Sequence, residues 1–361
     1  MLAAAGLNDD ALLRTPFFTP CELALVIPFV SDEVRTLSQQ VQRTWDREER
    51  FPCATASPGG SSVFGRAFGR PLLVLYYKYA STISQRRLWH SIVTNSTAFS
   101  TCFSGPLILD AGLSEESHPY TPGRAGPKML GFGPNQMFFD LILRKPAALA
   151  TRKVDYIFWF EIDVVPIRRG WLDALQAEVL GKCGAGEDFW VKGSLHHGAL
   201  SPSDVRSWSW NQMMFISACA IYRFGSPAFE RFLHRMLSHF PMIQAEEARR
   251  RGLTLPGRRD FSDLRVADSI YALGASPTDQ NGRPVRLGLM QCFDCMIRWF
   301  LFYGALQEQH KHLMHKYLYT SVIYWHGFSS TNETLTAFRT NAHSAFLAHK
   351  PPGRLDAWLI R

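Results

Sequence analysis

Asp155-Tyr-Ile-Phe-Trp-Phe-Glu161-Ile-Asp163-Val-Val-Pro166 is the stretch that decides the fold. Its apolar run reads as a strand covered on both faces, as in a mostly parallel sheet. The run ends in two carboxylates spaced by one residue, with a proline soon after. Charged side chains are rarely buried unless paired or bound to a metal. Two acids at the exit of such a strand therefore point to a divalent-cation site at the sheet's carboxyl edge, where open α/β sheets bind ligands. Glu161-Ile-Asp163 is the only acid-x-Asp triplet in the chain. The competing account makes these acids a helix cap or ion-pair partners of Arg168.

Outward from this stretch, strands and helices alternate. Glu22 to Pro28 reads as a first buried strand, and Ser31 as the cap of a helix with Asp32 and Glu33 in its first turn. Val34, Leu37, Val41 and Trp45 give that helix one apolar face. Residues 53–70, rich in Gly, Ser and Pro, read as a loop. Strands are expected at 72–77, 106–109, 155–160, 189–192, 213–222 and 317–325. Helices are expected at 135–143, 171–180, 227–240 and 292–306, with the basic stretch 249–259 as a solvated loop. The alternation implies α/β architecture: a mostly parallel central sheet flanked by helices.

Length and composition agree. At 361 residues, 46% hydrophobic and 13% aromatic, the chain is globular, with roughly three quarters of its unfolded surface available for burial. Its net charge of +8 is spread along the chain, which suits acidic small molecules such as nucleoside diphosphates. No helix-turn-helix or RNA-binding signature supports nucleic acid. The apolar runs are too short to cross a bilayer, and the amino terminus does not read as a signal peptide. A membrane anchor outside this chain would be compatible. Sequons stand at Asn95-Ser-Thr97 and Asn332-Glu-Thr334. Seven cysteines, an odd number, do not read as a disulfide framework.

No Gly-x-Gly-x-x-Gly follows the first strand, and no Walker A sequence occurs. A carboxylate-bound metal would then hold phosphates in place of a glycine cradle, and oxygen ligands with one imidazole suit Mn²⁺ or Mg²⁺. Cys292, Cys295, His310 and His315 satisfy the literal spacing of a zinc site. An apolar helix separates the two pairs, so the cysteines read as packing residues. His196 and His197 are adjacent and, on a strand, point to opposite faces.

The segment from Tyr156 to Leu172 resembles the metal-binding segment of GT-A fold glycosyltransferases. It is similar above all to a eukaryotic group with a Glu-Pro-Asp-Val-Val-Pro form of it. Leu25 to Pro28, Phe189 to Gly193, Phe215 to Tyr222, Phe293-Asp294 and Trp325-His326-Gly327 agree in order. The resemblance covers roughly residues 22 to 330. It implies a GT-A-like domain over 21–330, with a flexible extension at 1–20 and a C-terminal extension, 331–361, packing on it.

The resemblance also implies roles. Asp163 ligates the metal, Glu161 contacts the donor ribose or reaches the metal through water, and His326 is the third ligand unless it is a core histidine. Pro28, Phe29 and Lys192 join Glu161 and Asp163 in holding a nucleotide-sugar donor, expected to be UDP-linked, in the Golgi or ER lumen. Asp294, in an apolar helix, is a base toward an acceptor hydroxyl, a sugar-binding group, or half of an ion pair. Trp208 and Trp210 are candidates for an acceptor platform, while Trp159 belongs to the core. Ser217-Ala-Cys219 departs from the family's usual Asn-Gly-Asn, which puts the donor contacts of those side chains in question. A nucleotidyltransferase, and a sugar-binding or scaffold domain without turnover, are the alternatives.

Overall fold

The computed structural model describes residues 21–29, 33–54, 69–77, 94–113, 132–180, 182, 189–195, 216, 218–250, 252–254, 280–282, 293–302, 311–325, 345 and 347–349. Its strands are β1 (Leu23–Phe29), β2 (Leu72–Tyr77), β3 (Ser104–Asp110), β4 (Tyr156–Trp159), β5 (Val164–Pro166), β6 (Val191–Gly193), β7 (Ala220–Arg223), β8 (Tyr317–Tyr319), β9 (Ile323–Trp325) and β10 (Leu347–His349). Its helices are α1 (Val34–Gln40, continued by a π-helical turn to Trp45), α2 (Thr97–Cys102), α3 (Phe132–Phe139, likewise continued to Arg144), α4 (Ala147–Ala150), α5 (Trp171–Val179), α6 (Pro227–Arg250) and α7 (Phe293–Phe302).

Seven strands form one sheet in the order β3-β2-β1-β4-β7-β6-β8. β7 alone runs against the others: it pairs antiparallel with both β4 and β6, while every other pairing in the sheet is parallel. The expected α/β architecture is found. All four residues of β4 are buried, as the apolar run requires. Alternate side chains feed two cores. On one face Ile157 and Trp159 meet α3, α6 and α7; on the other Tyr156 and Phe158 meet α1, α2 and α5. Val34, Leu37, Val41 and Trp45 are all buried, as their spacing predicts.

Several expectations are corrected. The predicted strand 317–325 is two strands in two sheets, because Thr320 donates its N–H to the Gly193 carbonyl and its hydroxyl accepts from Val322 N–H, turning the chain between them. Among the described residues of 213–222, those from Ala220 onward are strand, and the strand runs on to Arg223. α6 continues past Phe240 to Arg250, through a segment rich in Ala, Glu and Arg that favours helix; the basic stretch is therefore helical at its start. Ser31 and Asp32 lie outside the described residues, and Glu33 stands at the helix start without a side-chain cap.

The cysteine reading is overturned. Cys53 and Cys102 form a disulfide, and Cys21 is also disulfide-bonded. An odd total conceals this because Cys219 is a buried thiol outside any disulfide. The bridge ties the segment after Phe51 to α2, across a sequence separation of 49. That segment is also fastened to α5: Leu172 N–H donates to Pro52 O, Gly170 N–H to Phe51 O, and Ala54 N–H to the Asp173 carboxylate at 2.7 Å.

Two measurements follow from this packing. The chain-entropy effect of closing such a loop is about 4 kcal/mol, so Cys53→Ser/Cys102→Ser should lose on the order of 2–4 kcal/mol in denaturant unfolding. Gly193 allows β6 to pack against its neighbours, since a Cβ there would stand 2.3 Å from Ile216 Cγ2 and 2.7 Å from Ala220 Cβ. Gly193→Ala should cost roughly 1–3 kcal/mol by overpacking, read from thermal unfolding.

Candidate functional site at the carboxyl edge

β1, β2, β3 and β4 all end at one edge of the sheet, and β6 and β8 end there too, whereas β7 begins there. Beyond β4, Phe160 N–H still donates to Val26 O, which keeps the chain in register with β1 for one more residue. Glu161 to Val164 then form a tight turn, closed by Val164 N–H donating to Glu161 O at 2.9 Å. The side-chain amide of Gln40, the last residue of α1 before its π-helical turn, donates to the Val164 carbonyl. Glu161 and Asp163 are half-buried on this turn. Both carboxylates thus stand at the sheet edge that the sequence assigns them.

A second, three-stranded sheet extends the edge, in the order β5-β10-β9. β10 pairs antiparallel with β5, setting His349 opposite Val164, and parallel with β9, setting His349 opposite Trp325. The chain therefore leaves β9 toward residue 326 at the end of the sheet where it enters β5 from Asp163. His326 itself lies outside the described residues. So do Trp208, Trp210, His196, His197, Ser217, Cys292, His310 and Asn332. Among the described residues, no set of three or more His, Cys, Asp or Glu side chains is grouped to hold a metal ion. Glu161 and Asp163 supply two oxygen donors.

Asp294 lies in the first turn of α7 and is 8% exposed; Arg298, one turn on, is 3% exposed. Opposite charges at this i, i+4 spacing share a helix face and attract. Asn135 on α3 accepts a hydrogen bond from Phe293 N–H at 2.8 Å, which fixes the start of α7. Phe138 stacks on Phe293 with centroids 3.9 Å apart, and Trp159 and Tyr222 pack edge-on around the pair. Trp159 is core, as expected. This aromatic cluster locks α7 onto the sheet.

Two tyrosine hydroxyls connect these groups. Burial first, then the Asp294 charge, then Tyr317 and Glu161, push the Tyr222 hydroxyl well above its ordinary pKa. Asp294 and Glu161 therefore bear on the same hydroxyl, although they are far apart in the sequence. Tyr222 donates to Ala218 O at 3.0 Å, and Tyr317 accepts from Ile216 N–H at 2.8 Å. Burial likewise raises Tyr317, opposed by that hydrogen bond and by the Arg298 charge. The backbone at Ile216 and Ala218 is thus held by two phenols. Gln40, Asn135, Tyr222, Arg298 and Tyr317 were not singled out by sequence. Only Arg298 carried a signal, a cation four residues beyond Asp294 in an apolar helix.

The remaining candidates fall as follows. Pro28 is half-buried and Phe29 buried at the end of β1, where the Phe29 ring packs on Tyr77 at 5.1 Å. Lys192 pairs with Glu178 on α5, Nζ to Oε2 at 2.5 Å, and lies 5.5 Å over the Phe189 ring. Its ammonium is held against α5.

No protein-family model matches this chain, and no curated protein matches it. Among the solved structures that resemble it in shape are the following three. The bifunctional glycosyltransferase WbbM, in its apo structure, is 10% identical with a TM-score of 0.39, over 93% of this chain and 46% of WbbM. The chain thus spans about half the length of WbbM. Mouse xyloside xylosyltransferase 1, in its apo form, is 10% identical with a TM-score of 0.41, over 94% of this chain and 99% of the mouse enzyme. The galactosyltransferase LgtC, in complex with donor and acceptor sugar analogs, is 9% identical with a TM-score of 0.37, over 92% of this chain and 88% of LgtC. All three are glycosyltransferases. The α/β architecture is read from the sheet order and not from these likenesses, whose TM-scores all lie below 0.5.

Removing the Tyr317 hydroxyl leaves the buried Ile216 N–H without its acceptor, which should cost about 1–3 kcal/mol. Tyr317→Phe should show that loss in thermal unfolding, with far-ultraviolet circular dichroism unchanged at room temperature.

Proposed function

We propose that this chain is a GT-A-like glycosyltransferase that moves a sugar from a nucleoside diphosphate donor, UDP-linked, to a hydroxyl of a glycan or protein acceptor. The observation that carries the reading is the Glu161–Val164 turn, which sets two carboxylates at the carboxyl edge directly after the central strand. A ligand at this edge meets the ends of β1 and β4 together, as ligands of open α/β sheets do.

The donor set suits Mn²⁺ or Mg²⁺, since the turn offers carboxylate oxygens and the exit of β9 leads to an imidazole. In this reading Asp163, His326 and, through water or the ribose, Glu161 hold the ion and the nucleotide. When bound, the ion would neutralise charge on the diphosphate leaving group. Gln40 fixes the turn by holding the Val164 carbonyl, so the carboxylates reach the ligand without reorganising. Pro28 and Phe29 form the wall at the end of β1. Asp294, steadied by Arg298 and by the aromatic cluster, faces the acceptor side as base or sugar-binding group. Lys192, held by Glu178, is the cation assigned to the donor in this reading.

The compartment we assign is the secretory lumen, Golgi or ER. The Cys53–Cys102 disulfide supports it, because such bridges persist where the surroundings oxidise thiols. No helix among the described residues is long and apolar enough to cross a membrane.

The test is release of free nucleoside diphosphate from a panel of nucleotide sugars, with Mn²⁺ or with EDTA. Wild type should release it from one donor in the presence of Mn²⁺ only, and Asp163→Asn should lower the rate at least a hundredfold, about 2.7 kcal/mol of barrier. No release from any donor, joined to no metal-dependent UDP binding by calorimetry, would sink the reading and leave a sugar-binding or scaffold domain.

A further inference from the structure

One motif of the sequence has no part in the sugar-transfer site: Asn95-Ser96-Thr97. Sequons arise by chance, so the triplet alone decides nothing. Its setting does. Asn95 and Thr97 are both exposed, while Ser96 between them is 3% exposed. The Ser96 hydroxyl donates to the Asp46 carboxylate at 2.9 Å and accepts from Phe99 N–H at 3.3 Å. Asp46 also accepts from Ala98 N–H at 2.9 Å. The middle residue is thus pinned inward, and the two residues that a glycosylating enzyme must read are turned to solvent.

The second observation is the disulfide. Cys102 ends α2, the helix that starts at Thr97, and its bridge to Cys53 places this part of the chain in an oxidising compartment. That is the compartment in which asparagine side chains meet lipid-linked oligosaccharide.

The third is position. α2, which begins at Thr97, leads directly into the start of β3 at the sheet's amino edge. Ser104, just after α2, donates to Pro71 O beside the start of β2, again at the amino edge. From Asn95 the chain thus runs through α2 to the amino edge, whereas Glu161 and Asp163 follow β4 at the carboxyl edge.

We propose that Asn95 carries an N-linked glycan. In the reaction the Asn95 amide nitrogen bonds to the anomeric carbon of a lipid diphosphate-linked oligosaccharide. The anomeric carbon–oxygen bond to the diphosphate breaks, the lipid diphosphate leaves with that electron pair, and the amide proton passes to a base of the transferring enzyme. The Thr97 hydroxyl is the recognition element two residues on. This inference goes beyond sugar transfer by the chain itself and stands or falls separately from it.

The chain is to be produced through the secretory pathway of a eukaryotic cell with Asn332→Gln, so that any glycan reports on Asn95 alone. Peptide mass spectrometry before and after treatment with an amidase that removes N-linked glycans reads the site. Expected is a glycan on the Asn95 peptide, lost in both Asn95→Gln and Thr97→Ala and retained in Thr97→Ser, which keeps the hydroxyl. An unmodified Asn95 peptide from folded chain whose Cys53–Cys102 bridge is intact overturns the proposal. So does a glycan that persists on that peptide in Thr97→Ala.

Discussion

The structure depends on β4 being hydrogen-bonded on both sides, parallel to β1 and antiparallel to β7. A strand so placed has no free edge and no free face. Every one of its side chains must be apolar, and the first carboxylate can appear only where the strand escapes the sheet. Glu161 is that residue, and the turn it opens is fixed by backbone geometry rather than by loop preference. The sharp change from buried aromatics to paired acids follows from two-sided pairing, and it puts charge beside the end of β1.

Much of this was legible. Periodicity alone placed β1, β2, β4, α5 and the apolar face of α1, because each buries a continuous apolar face and nothing local competes. The acids after β4 were legible for the same reason. What escaped depends on groups brought together from far apart. Tyr222 and Tyr317 look like ordinary strand aromatics in sequence, and only the sheet order shows that both hydroxyls converge near Asp294. The break between β8 and β9 escaped because Tyr317 to Trp325 has strand-forming composition throughout, and a single Thr320 hydroxyl redirects it. Cys53 and Cys102 gave no sign, since a pairing is a property of approach in space.

Near the carboxyl edge the protein mixes two kinds of material. Stacked rings of Phe138, Phe293, Trp159 and Tyr222 set α7 rigidly against the sheet, and within a turn of that cluster sit Asp294 and Arg298, both buried. Burying ionised groups costs several kcal/mol each unless they are compensated. Here rigid apolar packing limits how far those groups can relax, which is the condition under which fixed charges act strongly on a ligand. Nearby, Tyr222 and Tyr317 bond the backbone at Ala218 and Ile216.

The small sheet beside the acids has one more consequence, and it concerns time. β5 precedes β9 by more than a hundred residues and joins it only through β10, which comes later still. During synthesis the large sheet can assemble around β1, β2 and β4 while β5 still presents an unpaired backbone edge. That edge is exposed to wrong partners for as long as residues 347–349 are missing. Long-range pairing of this kind is slow to close because loop entropy is lost before any contact is gained. The small sheet beside Asp163 is accordingly completed only once residues 347–349 have been made.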